Sequence, residues 1–506
     1  MMKDIIICNS LLLDIVKYLI SKKKYYIILF LVLINQSFIH SQNDNIKINI
    51  PDSYQSNYPD NTDGYSFLND TTWLTDHVLI EQDAEIEQLW WQNLNDQLLD
   101  SLINIAFKDN YNLLIAQQRI IQSRESMRSA FAGFLPSFTA SAGWQRSRSS
   151  QTTSPMSLLS PKYTSYYSGS IAMNWELDVF GSIRKKYMEQ KNLYKASKMD
   201  YNSTMISLAQ SVASAYINVL TSQRLIYVMK TNIASQKEIV DITEARFQAG
   251  LSSQLDVAQA KSTYYSTRAS ITSIESGYAN YINSLSVLLG MVPSELVPVF
   301  DSIKPLPQAA TIVPVSIPAS LLRQRPDIIA AEYQVKAQAD ALGVAIKDWF
   351  PSFFLKGSFG VSSHEMHNLF RDKSMVWQIA PAVTWTIFNG GQRDAAIRSA
   401  ESVLQQYIDN YNLTILTALQ EVDNAIVSYK NSVRETQEYK TAVTEALNAL
   451  NLSMELYKMG LSTFINVQNS LQTLLSYELS LAKSEGNSLI YLITLYQALG
   501  GGWQIQ

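Results

Sequence analysis

The sequence predicts an α+β membrane protein in which each protomer gives four β-strands to a barrel shared between copies, with long coiled-coil α-helices attached. Three observations carry this prediction. The chain repeats itself in tandem. Each copy holds a 68-residue window with no glycine or proline, between Gly181 and Gly250 and between Gly391 and Gly460. Each copy also holds two segments that alternate apolar and polar residues with the period of a strand.

Composition narrows the class first. A chain of 506 residues suggests about three domains at ~150 residues each. A net charge of −4 offers no basic footprint and argues against nucleic acid as a partner. One cysteine excludes a disulfide framework and Cys-cluster metal sites, and four histidines argue against a His-rich metal enzyme. The mean hydropathy of −0.05 is too polar for a chain built of membrane-spanning helices.

The chain opens on an address. Lys22-Lys23-Lys24, the apolar run Tyr25 to Ile34 and the polar exit Ser41-Gln42 have the order of a secretory signal. Residues 1–41 are therefore expected to be a signal peptide with an N-terminal extension. Cys8, the single cysteine, precedes the apolar run, so a mature protein without a lipid anchor is expected. Residues 42–92 follow as an acidic arm, with ten acids and one lysine between 43 and 92.

The repeat is read from anchors. Phe134-Leu135-Pro136-Ser137-Phe138 returns as Trp349-Phe350-Pro351-Ser352-Phe353, an offset of 215. Trp175, Val212, Ala215 and Gly250-Leu251-Ser252 return at an offset of 210 as Trp385, Val422, Ala425 and Gly460-Leu461-Ser462. Five additional residues thus sit between Pro136 and Trp175. The first repeat is expected over 93–292 and the second over 319–503. The linker 293–318 lies between them, in a stretch (293–326) with seven of the fourteen prolines.

Long helices are expected over 182–249 and 392–459, each ~100 Å at 1.5 Å per residue. Their seams, Leu208, Val212, Ala215, Val219 and Ala418, Val422, Ala425, Tyr429, run at 4-3-4 spacing with small residues, as in a coiled coil. Shorter helices are expected over 251–289 and 461–499, over about 95–133, and over 326–349. In the last, Pro326 and Asp327 suit a first turn.

Strands are expected over 136–146, 167–177, 353–361 and 377–387. One face carries Phe138, Trp144, Ile171, Met173, Trp175, Phe353, Leu355, Phe359, Trp377, Ile379, Val383 and Trp385, and the other is small and polar. Alternation alone fits equally well two hairpins laid over a helical core. Aromatics near the ends of the apolar face, together with the export signal, favour an outer-membrane barrel with a wet lumen. Four strands cannot close, and an open edge is forbidden in hydrocarbon, so protomers must share a barrel around a symmetry axis. The helices then project into an aqueous compartment.

These residues resemble a known family. Leu321-Leu322-Arg323-Gln324-Arg325-Pro326-Asp327-Ile328, Trp175 to Gly181, Phe388-Asn389-Gly390-Gly391 and Tyr496 to Trp503 are similar to signatures of the TolC-like outer-membrane efflux factors, in the branch containing OprM and NodT. The resemblance implies a homotrimer with a 12-stranded shared barrel in the outer membrane of a Gram-negative-type bacterium and a periplasmic helical tunnel. It implies a periplasmic adaptor and an inner-membrane pump of the resistance–nodulation–division type as partners, and a passive duct for small molecules. By position, Gly250, Leu251, Ser252, Gly460, Leu461 and Ser462 match the family's adaptor-contacting tips. Asp256, Phe464, Asn466, Val467 and Asn469 match its periplasmic constriction, where the family often carries aspartates. A duct for type I protein secretion and a non-conducting coiled-coil surface protein are the alternatives.

No catalytic constellation stands out, and no cofactor is expected. His364-Glu365-Met366-His367 lacks the three or four convergent ligands of a zinc site and reads as surface loop. Gly500-Gly501-Gly502 follows a helix and not a strand, so it is a helix stop and not a nucleotide loop.

Overall fold

The computed structural model describes residues 79–81, 89–148, 163–307, 312–314 and 324–503. The signal, Cys8, most of the acidic arm and most of the proline-rich linker lie outside the described residues. So do residues 149–162. At the arm, β1 (Leu79–Glu81) pairs in parallel with β4 (Ile312–Pro314) of the linker.

The first repeat begins with a 3-10 turn, Trp90–Leu94, whose Trp90, Trp91 and Leu94 are all buried. Trp90 stacks on Tyr496 with centroids 5.5 Å apart. The expected arm boundary at residue 92 therefore cuts through a packed turn. Helix α1 (Gln97–Asp109) is capped by the Asp96 carboxylate, which accepts from the amides of Leu98 and Leu99. Asp96 also accepts from the Tyr216 hydroxyl at 2.6 Å. Burial, and then that hydrogen bond, raises the Tyr216 phenol well above its usual range.

The single helix expected over about 95–133 is two. Asn110 leaves the helical region and caps α2 (Tyr111–Ala132), its side-chain oxygen accepting from Leu113 N. Its side-chain amide donates 2.8 Å to the Leu288 carbonyl, which ties the break to the end of another helix. That tertiary bond is what the local pattern could not carry.

Helices α3 (Ser182–Gln248) and α6 (Gln392–Lys458) are 67 residues each, and α4 (Gln254–Leu288) and α7 (Phe464–Ala498) are 35 each. The two copies thus keep one frame at the offset of 210. Helix α5 (Pro326–Lys347) starts on Pro326, where a missing amide costs nothing. Every residue of both expected seams is buried. The main core gathers Leu208 to Leu220 of α3, the ends of α4 and α7, the middle of α6, and α1.

One close approach depends on glycine. A Cβ on Gly486 of α7 would sit 2.1 Å from Thr221 Oγ1 of α3, so the two helices touch almost backbone to side chain. Gly486→Leu forces them apart. Overpacking of this kind costs about 1–3 kcal/mol, and a lowered unfolding midpoint in urea is the expected reading.

The four strands β2 (Ser137–Arg148), β3 (Tyr163–Leu177), β5 (Ser352–Ser363) and β6 (Met375–Thr384) form one antiparallel sheet in chain order. Residues directly opposite share a face. One rung reads Phe138, Met173, Gly357, Ile379, and the next Ala140, Ile171, Phe359, Trp377. Below them lie Trp175, Leu355, Pro381 and then Leu177, Phe353, Val383. Trp144 joins them on this face, opposite Tyr167. The apolar face is therefore continuous across all four strands.

The last strand stops earlier than expected, at Thr384 and not 387. Ser352 pairs with Thr384, and the next partner along β5 is Pro351, which has no amide for the ladder. Trp385, expected within the strand, lies just past its end.

Candidate functional site

Two regions hold the expected functional residues, the wall of the sheet and the far ends of the long helices. On the wall, Trp377 is 74% and Ile379 69% exposed in the single protomer, and Val383 and Phe138 are similarly bare. An apolar stripe this continuous needs a covering medium. The opposite face presents Thr139, Ser141, Ser168, Ser170, Asn174, Lys356, Ser358 and Gln378. One side suits hydrocarbon and the other water, as in an outer-membrane barrel.

The two repeated tryptophans do more than face outward. Trp175 Nε1 donates 2.9 Å to the Phe134 carbonyl, and Trp385 Nε1 donates 3.1 Å to the Trp349 carbonyl. Each indole thereby ties a strand end to the preceding helix-to-strand passage, with its ring on the apolar side. An amphipathic ring held this way belongs at a membrane–water boundary. Asp178 lies inside the Trp175 to Gly181 run, which by itself gives it no separate role. Its carboxylate accepts from the amides of Ile183 and Arg184 at 2.9 Å and caps α3. The second copy has Phe388 there, and Arg393 instead donates to the Thr386 carbonyl.

At the other end, α3 and α6 terminate identically. Gly250 and Gly460 adopt φ of 72° and 74°. The amide of Leu251 reaches Arg246 O and that of Gly250 reaches Phe247 O, and Leu461 and Gly460 do the same to Leu456 and Tyr457. This doubly bonded stop needs a left-handed residue and turns the chain back sharply. The leucines that follow are bare, Leu251 at 65% and Leu461 at 73% exposure. Ser252 and Ser462 are half-buried, and the Ser252 hydroxyl donates to Thr243 O.

The expected constriction residues divide into two kinds. Phe464 and Val467 are buried against Tyr457, Ile239, Val240, Ala260 and Leu471, so they are core of the tip and not lining. The first turn of α7 is held there because it packs on the last turns of α3 and α6. Asp256 is the third residue of a capping box: its amide donates to Ser253 Oγ and its carboxylate accepts from Ser253 N. At the matching position Asn466 turns instead to Ser462 Oγ at 3.0 Å, and Thr463 caps nothing. Asn466 and Asn469 are both exposed. Arg246 links the two tips, donating to Lys458 O and lying over the Tyr457 ring, and the Lys261–Glu244 ion pair joins α4 to α3 within the first tip.

Between wall and tips, Arg325 is buried and bonded on all sides. It makes a fork to Asp327 at 3.1 and 2.7 Å, donates 2.7 Å to Glu421 and 2.8 Å to the Ala498 carbonyl. Asp340, also buried, accepts from Lys185 at 2.7 Å and Asn192 at 3.0 Å.

His364 Nδ1 lies 2.9 Å from the Ser165 carbonyl and His367 pairs with Glu365. Among the described residues no group of three or more His, Cys, Asp or Glu is placed to hold a metal ion. Among them, too, no single helix is long and apolar enough to cross a membrane.

Comparison with known proteins places this geometry. The family model described as outer membrane efflux protein matches residues 102–291 and 317–501, one match on each repeat. The probable efflux pump outer membrane protein TtgC of Pseudomonas putida is 29% identical over 428 residues, 84% of this chain and 87% of its own. The solvent efflux pump outer membrane protein SrpC of Pseudomonas putida is 29% identical over 412 residues, 81% and 86% of the two chains. Among solved structures, the outer-membrane channel OprN superposes with a TM-score of 0.79 at 26% identity, over 85% of this chain and 96% of that one. The Campylobacter jejuni outer membrane channel CmeC shares the fold at a TM-score of 0.81 and 22% identity, over 90% and 94%. The sheet is thus one third of a 12-stranded barrel closed by three protomers, over a periplasmic tunnel of long helices. With both repeats matched and the wall and tunnel in place, the chain belongs to the outer membrane efflux protein family and is an outer-membrane efflux channel.

Proposed function

We propose that the trimer is the passive exit duct of a tripartite pump for small molecules. In this reading a periplasmic adaptor docks on the tips at Gly250-Leu251-Ser252 and Gly460-Leu461-Ser462, and an inner-membrane pump of the resistance–nodulation–division type supplies the energy. The observation that carries it is the repeated tip: two bare leucines on identical turns, at the free ends of helices ~100 Å long. The mature chain would comprise the arm 42–92, the repeats 93–292 and 319–503, and the linker 293–318, after loss of 1–41. Relatives named for efflux of toluene and solvents favour small molecules over secreted proteins.

The closed end of the tunnel is assigned to exposed Asn466 and Asn469. A trimer then carries rings of neutral amides there, which bind cations weakly. Single-channel recordings in planar bilayers test this. Wild-type conductance should be insensitive to millimolar Ca²⁺, whereas Asn469→Asp, which introduces three carboxylates, should make block at least ~10-fold more sensitive, since converging charges bind a divalent ion strongly. Strong Ca²⁺ block of the wild type, lost on changing Asn469 to alanine, would overturn the assignment. A trimer that never conducts, even with its tips cleaved, would sink the duct itself.

A further inference from the structure

The outer rim of the barrel carries a feature that efflux does not use. On β2 the apolar face is held by Phe138, Ala140, Ala142 and Trp144, and the same alternation then brings Arg146 and Arg148 to that face. The register confirms the side, since Trp144 opposes Tyr167, Arg146 opposes Ser165 and Arg148 opposes Tyr163. Two arginines therefore stand on the outside of the wall, beyond its last aromatic pair.

Their height follows from strand geometry. From Trp175 to Tyr167, β3 advances eight residues. That is ~27 Å along the strand and ~21 Å along the barrel axis for a tilt of about 40°, close to the ~25 Å apolar band of such barrels. Trp175 marks one boundary and the Trp144–Tyr167 pair, with ring centroids 6.3 Å apart, marks the other. Arg146 and Arg148 then lie ~5 and ~10 Å outside the hydrocarbon, at the depth of outer-leaflet headgroups.

Charge and preorganisation point the same way. From Ser137 to Trp175 the chain has three cations, Arg146, Arg148 and Lys162, and no acid. Among the described residues neither arginine has a carboxylate within ion-pair distance. Both guanidinium groups lie over the half-exposed ring of Tyr163, at 5.4 and 5.8 Å from its centroid. A cation–π contact of this kind draws each guanidinium to the ring while leaving N–H groups to bind an oxyanion in a fork.

We propose that Arg146 and Arg148, seated on Tyr163, form a binding site on the outer wall for the phosphate-bearing headgroup of an outer-leaflet glycolipid of the lipid A class. The trimer then carries three such sites, one on each β2, beside the seams where neighbouring protomers join. The role is anchorage: the site fixes the depth and tilt of the barrel in an anionic leaflet.

Native mass spectrometry of the full-length detergent-solubilised trimer, titrated with lipid A, tests this. Up to three lipids should bind per trimer, and Arg146→Gln/Arg148→Gln should weaken each step roughly 25-fold, at about five-fold per basic residue near an anionic surface. Arg146→Lys/Arg148→Lys should fall between the two. Dephosphorylated lipid A and phosphatidylcholine should bind the wild type no better than they bind the glutamine variant. Millimolar inorganic phosphate should not compete, because it lacks the acyl chains that lie on the wall. Equal lipid A affinity in the wild type and the glutamine variant would overturn the proposal, provided both run as trimers of unchanged conductance. Full competition by inorganic phosphate would also overturn it, by showing a site for a free ion.

Discussion

Arg325→Met lowers the stability of the helical body by about 2–4 kcal/mol, read as a clear drop in the midpoint of urea unfolding followed at the helical circular dichroism band. Arg325 is 8% exposed, and its guanidinium has four donor bonds to three partners. Methionine fills much of the volume but strands each acceptor differently. Ala498 O belongs to the last turn of α7, where carbonyls have no helical partner, and losing its bond from Arg325 costs about 1–3 kcal/mol. Asp327 and Glu421 are about one-third and one-half exposed, so water recovers part of their loss, and the estimate stays below the ~5 kcal/mol of a fully buried pair. Arg325→Lys keeps the charge but presents one point donor where a fork and two further bonds are needed, so it should recover only part of the stability. An unchanged midpoint in the methionine variant would show that the α5 start is held by packing alone.

Arg325 also shows what the sequence conceals. The run Arg323-Gln324-Arg325-Pro326-Asp327 is visible as a motif, and Pro326 and Asp327 declare a helix start. Nothing local says that the arginine reaches the far end of a helix 173 residues away, because that contact exists only once the second repeat has closed on itself. The break at Asn110 is hidden for the same reason: asparagine is tolerated in helices, and only its bond to Leu288 O makes the turn permanent.

What was legible rests on period and on punctuation. The seams at 4-3-4 spacing, the glycine stops and the two-residue alternation are properties of adjacent residues, so the helices expected over 182–249 and 461–499 fall within a few residues of the observed Ser182–Gln248 and Phe464–Ala498, and the apolar wall could be read directly. The tips mix both kinds of information. Gly250 and Gly460 announce their turns, whereas the burial of Phe464 and Val467 depends on which neighbour the first turn of α7 meets. Asp256 matches the family's constriction by position, and its capping bond to Ser253 is a role that the resemblance did not supply. Arg146 and Arg148 lie at and beyond the expected strand end at 146, and the register of β2 on β3 is what sets their face.

The tips carry the second large effect. Leu251→Asp/Leu461→Asp reduces efflux in living cells to the level of a strain lacking the channel, while the purified trimer keeps its stability and conductance. Each leucine follows a left-handed glycine in a turn closed by two backbone hydrogen bonds, so its position is rigid and does not depend on the side chain. In such turns the residue after the glycine commonly packs back on its own helix. Here the place it would meet is Arg246 in one copy and Leu456 in the other, and both leucines instead stay more than half exposed. That costs the free trimer apolar surface in water, which a docked partner would recover at about 1.5–3 kcal/mol per leucine. Six leucines per trimer make the loss far larger than any single contact, and a carboxylate in their place adds the penalty of burying a charge. The measurement is accumulation of a fluorescent pump substrate in cells, beside bilayer conductance and urea midpoints of the same protein. Lost efflux with intact conductance assigns the tips to docking. Full efflux in the double variant would move the adaptor's footprint elsewhere, to the grooves along α3 and α6, because a rigid apolar pair turned acidic cannot remain inside a tight interface.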